Sequence, residues 1–222
     1  MGTGIEKDGD GARPDLAEAI ERHAVGLDAA RPDAVARRRK TGQRTARENI
    51  DELCDAGTFV EYGPIVVAAQ RRRRTIDDLI KNTPADGLVT GLATVNGNLF
   101  GADKARCVVM SYDYTVLAGT QGHQNHRKKD RMFQLARELR LPLVLFAEGG
   151  GGRPGDTDGG FSSRTFYDFP RLSGLVPMIG ITSGRKIPSP PPSIIAGPPI
   201  PIFDPFVAIT TSQHPSKDAL PA

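Results

Sequence analysis

The stretch at residues 141–156, LPLVLFAEGGGGRPGD, constrains the possible fold more than any other part of the chain. Its continuous apolar run indicates a strand that is buried on both faces, as in parallel sheets. Four glycines follow at 149–152, where the main chain can adopt conformations closed to other residues and approach a ligand closely. Two neighbouring N–H groups can then face one oxygen, as an oxyanion hole requires. A tight strand-to-helix turn without a ligand is the alternative, whereas the spacing does not fit a G-x-G-x-x-G dinucleotide loop.

Apolar periodicity and turn signals predict alternating helices and strands around this stretch. The predicted helices cover about 14–27, 33–56, 125–139 and 162–173, and the predicted strands include 58–63, 141–148 and 176–182. The Asn96-Gly97 step between apolar runs predicts a β-hairpin. Together these signals favour a mixed α/β sheet with βα crossovers.

Three regions are expected along the chain. Residues 1–13 are rich in Gly and Asp and predict a mobile N-terminus. Residues 14–185 carry the periodic segments of one globular domain. Ten of the 18 prolines fall within 186–222, a spacing that no helix can cross and that disfavours a central strand. That tail is either an extended wrapping segment or not native domain sequence.

Charge is modest overall but uneven along the chain. The formal net charge is +3 and the pI is about 9.0, with basic runs at 37–40, 71–74 and 127–129. Such runs fit solvated faces, nucleic acid, or a smaller polyanion such as the phosphates of coenzyme A. No aromatic interleaving or known module supports nucleic acid. Two distant cysteines, no signal-peptide core and no long apolar run predict a cytoplasmic protein without a membrane span.

Four segments in fixed order resemble the biotin-dependent acyl-CoA carboxyltransferase family. KTGQRTARENIDELCDAGTFVEYG is similar to the family's K-TARERID-L-D-GSF-E, and TPADGLVTGLATVNG to its TPADGVVTG-G-I-G. YDYTVLAGTQG is similar to D-TV-GGS-G, and GGGGR to the SGGAR that ends a family strand. The resemblance runs from about Arg37 to Arg185.

The resemblance implies a crotonase-like (ClpP/crotonase) spiral of ββα units, of which this chain would hold the N-terminal carboxyltransferase domain. It implies that the amides of Gly150 and Gly151 bind the thioester oxygen of an acyl-CoA. The enolate formed at the α-carbon attacks the carboxyl group of carboxybiotin, and the freed ureido nitrogen can take the α-proton. The match to SGGAR also implies Gly152 and Arg153 as substrate-binding residues. HRKKDRMFQLA aligns with the family's GEKIVKVMDLA, which implies Lys128, Lys129 and Arg131 as further substrate-binding residues.

Carboxybiotin on a carrier protein, a biotin carboxylase subunit and further copies of the chain are the implied partners. No metal is expected, because His123 and His126 have no third ligand at a suitable spacing. Family chains hold a second crotonase-like half, and after VPMIGITSGR they continue differently from the KIPSP of this sequence. We therefore expect a truncated carboxyltransferase. The alternatives are a non-catalytic chain that binds CoA or a partner subunit, and, with less support, another crotonase-type acyl-CoA enzyme.

Overall fold

One six-stranded sheet organises the molecule, with its strands in sequence order. The computed structural model describes residues 13–158 and 163–182, together with the backbone of 183 and of 206–211. The two pairings nearest the N-terminus are antiparallel and the other three are parallel. The strands are β1 (Val60–Glu61), β2 (Leu88–Thr94), β3 (Arg106–Tyr112), β4 (Leu143–Phe146), β5 (Met178–Ser183) and β6 (Phe206–Thr211).

Helices join the strands, and the α/β class with a mixed sheet is confirmed. The α-helices are α1 (Pro14–Ala24), α2 (Pro32–Arg39), α3 (Ala46–Leu53), α4 (Ile76–Asn82), α5 (Gly97–Phe100), α6 (Ala102–Ala105), α7 (His123–Leu139) and α8 (Thr165–Asp168). Short 3₁₀ turns cover Asp28–Ala30, Pro84–Gly87, Leu117–Gly119 and Pro170–Leu172. Within the described ranges, no helix is long and apolar enough to cross a membrane.

Both faces of the sheet are buried, which explains the near-continuous apolar sequence of its inner strands. One face packs Val108, Met110 and Leu143 against Met132 and Phe133 of α7. The opposite face packs Val89, Cys107 and Val109 against Ala46 and Ile50 of α3. The sheet therefore has a helix layer on either side, and its loops emerge at its two ends.

The expected single helix over residues 33–56 is wrong, because the chain forms α2 and α3 with a break between them. Gly42 lies in the break with φ +69°, a left-handed conformation that favours glycine. Thr45 then begins α3 with a capping box, in which its side chain accepts from the Glu48 amide and Glu48 accepts from the Thr45 amide. The T-x-x-E signal for this second start is present in the sequence.

The hairpin expected at Asn96-Gly97 forms, but its connection is longer than a tight turn. Strands β2 and β3 do pair antiparallel, but residues 95–105 connect them through α5 and α6. Asn96 is left-handed, and the Asp55 carboxylate accepts from the amides of Asn96 (3.1 Å) and Gly97 (2.8 Å). This carboxylate stabilises the longer connection. Because it lies about forty residues away in the sequence, rules based on local turn residues do not include it. The helix expected over 162–173 is likewise shorter, because Pro170 follows α8 and begins a 3₁₀ turn.

The proline-rich tail contributes one strand to the sheet. Strand β6 pairs in parallel with β5 at the edge of the sheet, so it is not a central strand. The remainder of 186–222 lies outside the described residues, as do 1–12, so the expected mobility of 1–13 is not tested.

We predict that Gly91→Ala separates β1 from β2. A Cβ at Gly91 would lie 2.1 Å from the Val60 carbonyl oxygen, closer than any real contact. Overpacking of this kind costs about 1–3 kcal/mol of unfolding free energy, and amide exchange at Tyr62, whose N–H donates to Thr90 O (2.8 Å), should accelerate. Gly152→Ala is the control, since its Cβ would meet open space. Equal stability of the two variants in urea unfolding would contradict the prediction.

Candidate active site

Two loops meet at the carboxyl ends of the neighbouring parallel strands β3 and β4, where ligands bind in open α/β sheets. The first loop covers residues 113–122 and the second, which we call the glycine loop, covers 147–158. A short parallel bridge joins them: the Gln121 amide donates to Gly151 O (2.8 Å), and the Arg153 amide donates to Gln121 O (2.9 Å). The glycine loop therefore has a fixed register against its neighbour.

Glycine is required where these two loops approach each other most closely. A Cβ at Gly119 would lie 2.5 Å from the Glu148 carbonyl oxygen, and one at Gly149 would lie 2.6 Å from the Gly119 oxygen. Leu117, Ala118 and Gly119 all have positive φ, and the two that are not glycine are strained in this conformation. The first glycine of the glycine loop therefore serves packing.

The Gly150 amide has an internal partner, which corrects the expectation that it faces a ligand. It donates to the Ala118 carbonyl oxygen over 3.0 Å. Among the described residues, no acceptor is found for the amides of Gly151 and Gly152, and both residues are exposed. Gly151 has φ +85°. Gly151 and Gly152 thus form a pair of neighbouring amides with no internal acceptor found among these residues, one residue further along than the expected pair.

Arg153, which the resemblance implied for substrate binding, is buried, and the contacts found for its side chain are internal. Its side chain is 4% exposed and forms ion pairs with the carboxylates of Asp86 and, at 3.5 Å, Asp156. The guanidinium also donates to the Thr120 carbonyl oxygen (2.6 Å) and to its hydroxyl (3.2 Å). One side chain thus joins the glycine loop, the 113–122 loop and the turn at 84–87.

Asp86, which the sequence reasoning did not single out, is the carboxylate at the centre of this network. It is fully buried in the 3₁₀ turn Pro84–Gly87, where Ala85, Asp86 and Gly87 all have positive φ. It accepts from the Asn125 amide (2.7 Å) as well as from Arg153. Burial raises the pKa of Asp86, and the adjacent Arg153 charge opposes that rise. The TPADG segment was the available signal.

Lys128 also has an internal role in place of the expected phosphate contact. The side chain is buried, and Nζ donates to the carbonyl oxygens of Ala85 (3.1 Å) and Leu88. Burial lowers its pKa to about 8, although Glu61 and Asp86 favour the charged form. The lysine therefore ties the Ala85 carbonyl of the strained turn at 84–87 to the first carbonyl of β2.

Lys129 and Arg131 lie in different environments although they are close in sequence. Lys129 is buried, and Nζ donates to the Gln121 side-chain oxygen. Arg131 is exposed and lies on the outer side of α7. It borders an open groove of about 400 Å³ whose other lining residues are Arg127, Asp130, Gln134, Arg137, Arg164 and Asp168. None of these lies on the glycine loop, so the structure does not bring Arg131 to that loop.

The arginine run at 71–74 is anchored to the glycine loop. The amides of Arg71 (2.8 Å) and Arg72 (3.3 Å) donate to the Asp158 carboxylate, and Arg73 Nη1 donates to Gly155 O (3.1 Å). The side chains of Arg71, Arg72 and Arg73 are exposed. These are the exposed cations that the fold brings next to the glycine loop.

A second charged residue that sequence reasoning missed is Glu148, which directly precedes the four glycines. Its carboxylate pairs with Arg38 of α2, and both side chains are at most 10% exposed. Arg38 Nε also donates to the Arg44 carbonyl oxygen (2.7 Å). The basic run at 37–40 thus contributes one buried arginine that fixes the start of the glycine loop. No three His, Cys, Asp or Glu side chains are grouped to hold a metal in the described part of the chain.

We predict that Arg153→Met lowers the unfolding free energy by about 3–5 kcal/mol at pH 7, because it leaves Asp86 buried without its partner. The folded-state pKa of Asp86 is already raised by burial, and removing the cation raises it further. The variant should recover stability relative to wild type as the pH falls and Asp86 is protonated. Arg164→Met, which breaks the more exposed pair with Asp168, is the control and should cost less than about 1 kcal/mol. A deficit that urea unfolding shows to be unchanged between pH 7 and 5 would refute this assignment.

Comparison with known proteins identifies the family. The model of the carboxyl transferase domain family matches residues 37–188. The propionyl-CoA carboxylase beta chain of Saccharopolyspora erythraea is 34% identical over 76% of this chain and 30% of its own length. The methylmalonyl-CoA carboxyltransferase 12S subunit of Propionibacterium freudenreichii is 31% identical over 68% of this chain and 27% of its own length.

Solved structures agree with this assignment. A single-chain, multi-domain long-chain acyl-CoA carboxylase is 61% identical, with a TM-score of 0.73 over 78% of this chain and 18% of that one. The transcarboxylase 12S structure with methylmalonyl-CoA bound is 27% identical, with a TM-score of 0.60 over 78% of this chain and 33% of that one. This chain spans about 30% of the length of the curated relatives that it matches. By the family match over most of its residues, the chain belongs to the carboxyl transferase domain family, as the resemblance predicted.

Proposed function

We propose that the chain provides the acyl-CoA side of an active site that transfers a carboxyl group between carboxybiotin and the α-carbon of an acyl-CoA of the acetyl- or propionyl-CoA type. The observation that carries this proposal is the glycine loop. Its exposed amides at Gly151 and Gly152 stand at the carboxyl ends of β3 and β4, on a backbone fixed by the bridge to Gln121. The family match adds the class of reaction.

The proposed chemistry uses main-chain donors on this chain and no protein nucleophile. The amide of Gly151, with that of Gly152 beside it, donates to the thioester oxygen of the acyl-CoA. Negative charge develops on that oxygen when the α-proton leaves, so a preorganised donor stabilises the enolate more than the ground state. One such donor is worth about 3–4 kcal/mol. Gly150 supports the site by fixing the loop through its bond to Ala118.

Carboxybiotin on a carrier protein supplies the carboxyl group in this proposal, and a biotin carboxylase subunit charges it. We assign none of the described residues to biotin. The chain would act in an oligomer; the transcarboxylase 12S structure is described as a hexamer. We further propose that the sheet is part of a crotonase-like spiral of ββα units. We also propose that the protein is cytoplasmic, because both of its cysteines are free thiols, as is usual in that reducing compartment.

For the coenzyme A phosphates we propose the arginine run at 71–74. Lys128 and Lys129 are buried, and Arg131 lies in the groove on α7, away from the glycine loop. The guanidinium groups of Arg71 and Arg72 are exposed beside that loop and suit paired contacts to phosphate oxygens.

We expect Gly151→Ala to reduce carboxyl transfer from methylmalonyl-CoA to free biotin about 10- to 100-fold, because alanine disfavours φ +85° and the amide turns. Gly42→Ala is matched for strain, since Gly42 has φ +69° with no atom near its Cβ, and it should retain activity. Equal loss in both variants would remove the amide from the mechanism. Acyl-CoA binding by wild type without transfer would favour the alternative, a chain that binds CoA or a partner subunit.

We expect Arg72→Glu to weaken propionyl-CoA binding about tenfold in calorimetry, which corresponds to about 1.4 kcal/mol. Arg131→Glu tests the groove on α7, and Arg37→Glu, an exposed arginine on α2, is the control for net charge. Both of these variants should bind propionyl-CoA with an affinity within about twofold of wild type when all are measured at the same salt concentration. A larger effect of Arg131→Glu than of Arg72→Glu would place the phosphates in the groove and refute our assignment.

A further inference from the structure

Lys129 is a buried cation that the proposed chemistry does not yet use. Its side chain is among the largest in the protein that are fully buried, with 2% exposure. It forms no salt bridge within the described residues. Burying an ammonium group without a carboxylate partner costs several kcal/mol, so a lysine here calls for a physical reason.

The contacts of Lys129 point toward the candidate site. Nζ donates to the side-chain oxygen of Gln121 and lies 5.5 Å from the centroid of the Tyr112 ring. Gln121 in turn is the residue that bridges to the glycine loop through both its amide and its carbonyl group. The amine is therefore one side chain away from the backbone that positions Gly151 and Gly152.

Gln121 transmits the position of its side chain to that backbone because it is held on both sides. Its N–H donates to Gly151 O over 2.8 Å, and its C=O accepts from the Arg153 N–H over 2.9 Å. A change in the hydrogen bond at the Gln121 side chain can therefore shift its backbone, which is hydrogen-bonded to Gly151 and Arg153 on either side of Gly152.

We propose that Lys129 is a positioning residue whose protonated amine holds Gln121 and, through it, the Gly151 and Gly152 amides in the arrangement that binds the thioester oxygen. The expected effect on acyl-CoA binding rests on the proposed function. The coupling of Lys129 to the glycine loop rests only on the hydrogen bonds described above. Lys129 acts through Gln121 and does not touch substrate.

The charge on Lys129 changes near neutral pH. Burial lowers the pKa of Lys129 to about 7, while the carboxylates of Asp130 and Asp86 favour its charged form. His126 faces it from the same helix, and burial lowers the pKa of that ring to about 4, so His126 stays neutral across this range. The Tyr112 hydroxyl, with a pKa raised by burial, also stays protonated. The hydrogen bond from Lys129 to Gln121 should therefore be charge-assisted and stronger below about pH 7, and weaker above it.

The test follows the amide signals of Gln121, Gly151 and Gly152 in ¹H–¹⁵N spectra of the full chain from pH 5.5 to 9. We expect one common step with a midpoint near 7, matched by the ¹⁵Nζ signal of Lys129 and distinct from the ¹⁵Nζ signal of Lys128, whose pKa burial lowers to about 8. Lys129→Met should abolish the step, and His123→Asn, which removes the histidine beside Gly122, should keep it. Glycine-loop amides that do not titrate, or a step that persists in Lys129→Met, would overturn the proposal.

Gln121→Glu keeps the test decisive if Lys129→Met does not fold. A carboxylate against the amine favours its charged form, so the midpoint should rise by about one pH unit or more. An unchanged midpoint would show that another group titrates. Calorimetry with propionyl-CoA then separates the two proposals: affinity that falls above pH 7 in wild type supports both. A chain that binds no CoA ester yet shows the titration step loses the proposed function and keeps the coupling.

Discussion

The buried ion pair between Arg153 and Asp86 is the interaction on which the rest of the site depends. It connects the turn at 84–87, the loop after β3 and the glycine loop after β4, three segments that are far apart in the chain. Neither charge is exposed by more than 4%. Because each partner is stable in the interior only while the other is present, the three segments are fixed relative to one another. The position of the glycine loop is therefore a property of the network and not of the loop sequence alone.

The turn at 84–87 illustrates how strain is offset by these contacts. Ala85, Asp86 and Gly87 all have positive φ, a backbone conformation that is unfavourable for the two residues that are not glycine. Lys128 holds the Ala85 carbonyl, and the Asn125 amide and Arg153 hold the Asp86 carboxylate. The same helix, α7, thus supplies a lysine and an amide that over-determine the turn. Lys128, which the sequence suggested as a phosphate ligand, therefore stabilises this turn.

Much of the fold could be predicted from the sequence, and the failures have physical causes. The alternation of elements, the buried strand before the glycines and the α/β class follow from local periodicity, and they were confirmed. The break between α2 and α3 was missed although Thr45 and Glu48 carry its capping signal. The roles of Lys128, Lys129 and Arg153 could not be found in this way, because burial depends on partners such as Asp86, Gln121 and Leu88 that lie elsewhere in the chain.

The four glycines show that a glycine run in the sequence does not by itself tell which of its amides remain open to a ligand. Gly149 is required by its close approach to Gly119, and the Gly150 amide is used by Ala118. Gly151 and Gly152 are exposed, and no internal acceptor is found for their amides among the described residues. The first two glycines thus bring the loops together, and the second two leave a pair of neighbouring amides open. For a glycine run at the end of a strand, the amides that already donate to the neighbouring loop should be identified first. Only the remaining amides are candidates for catalysis.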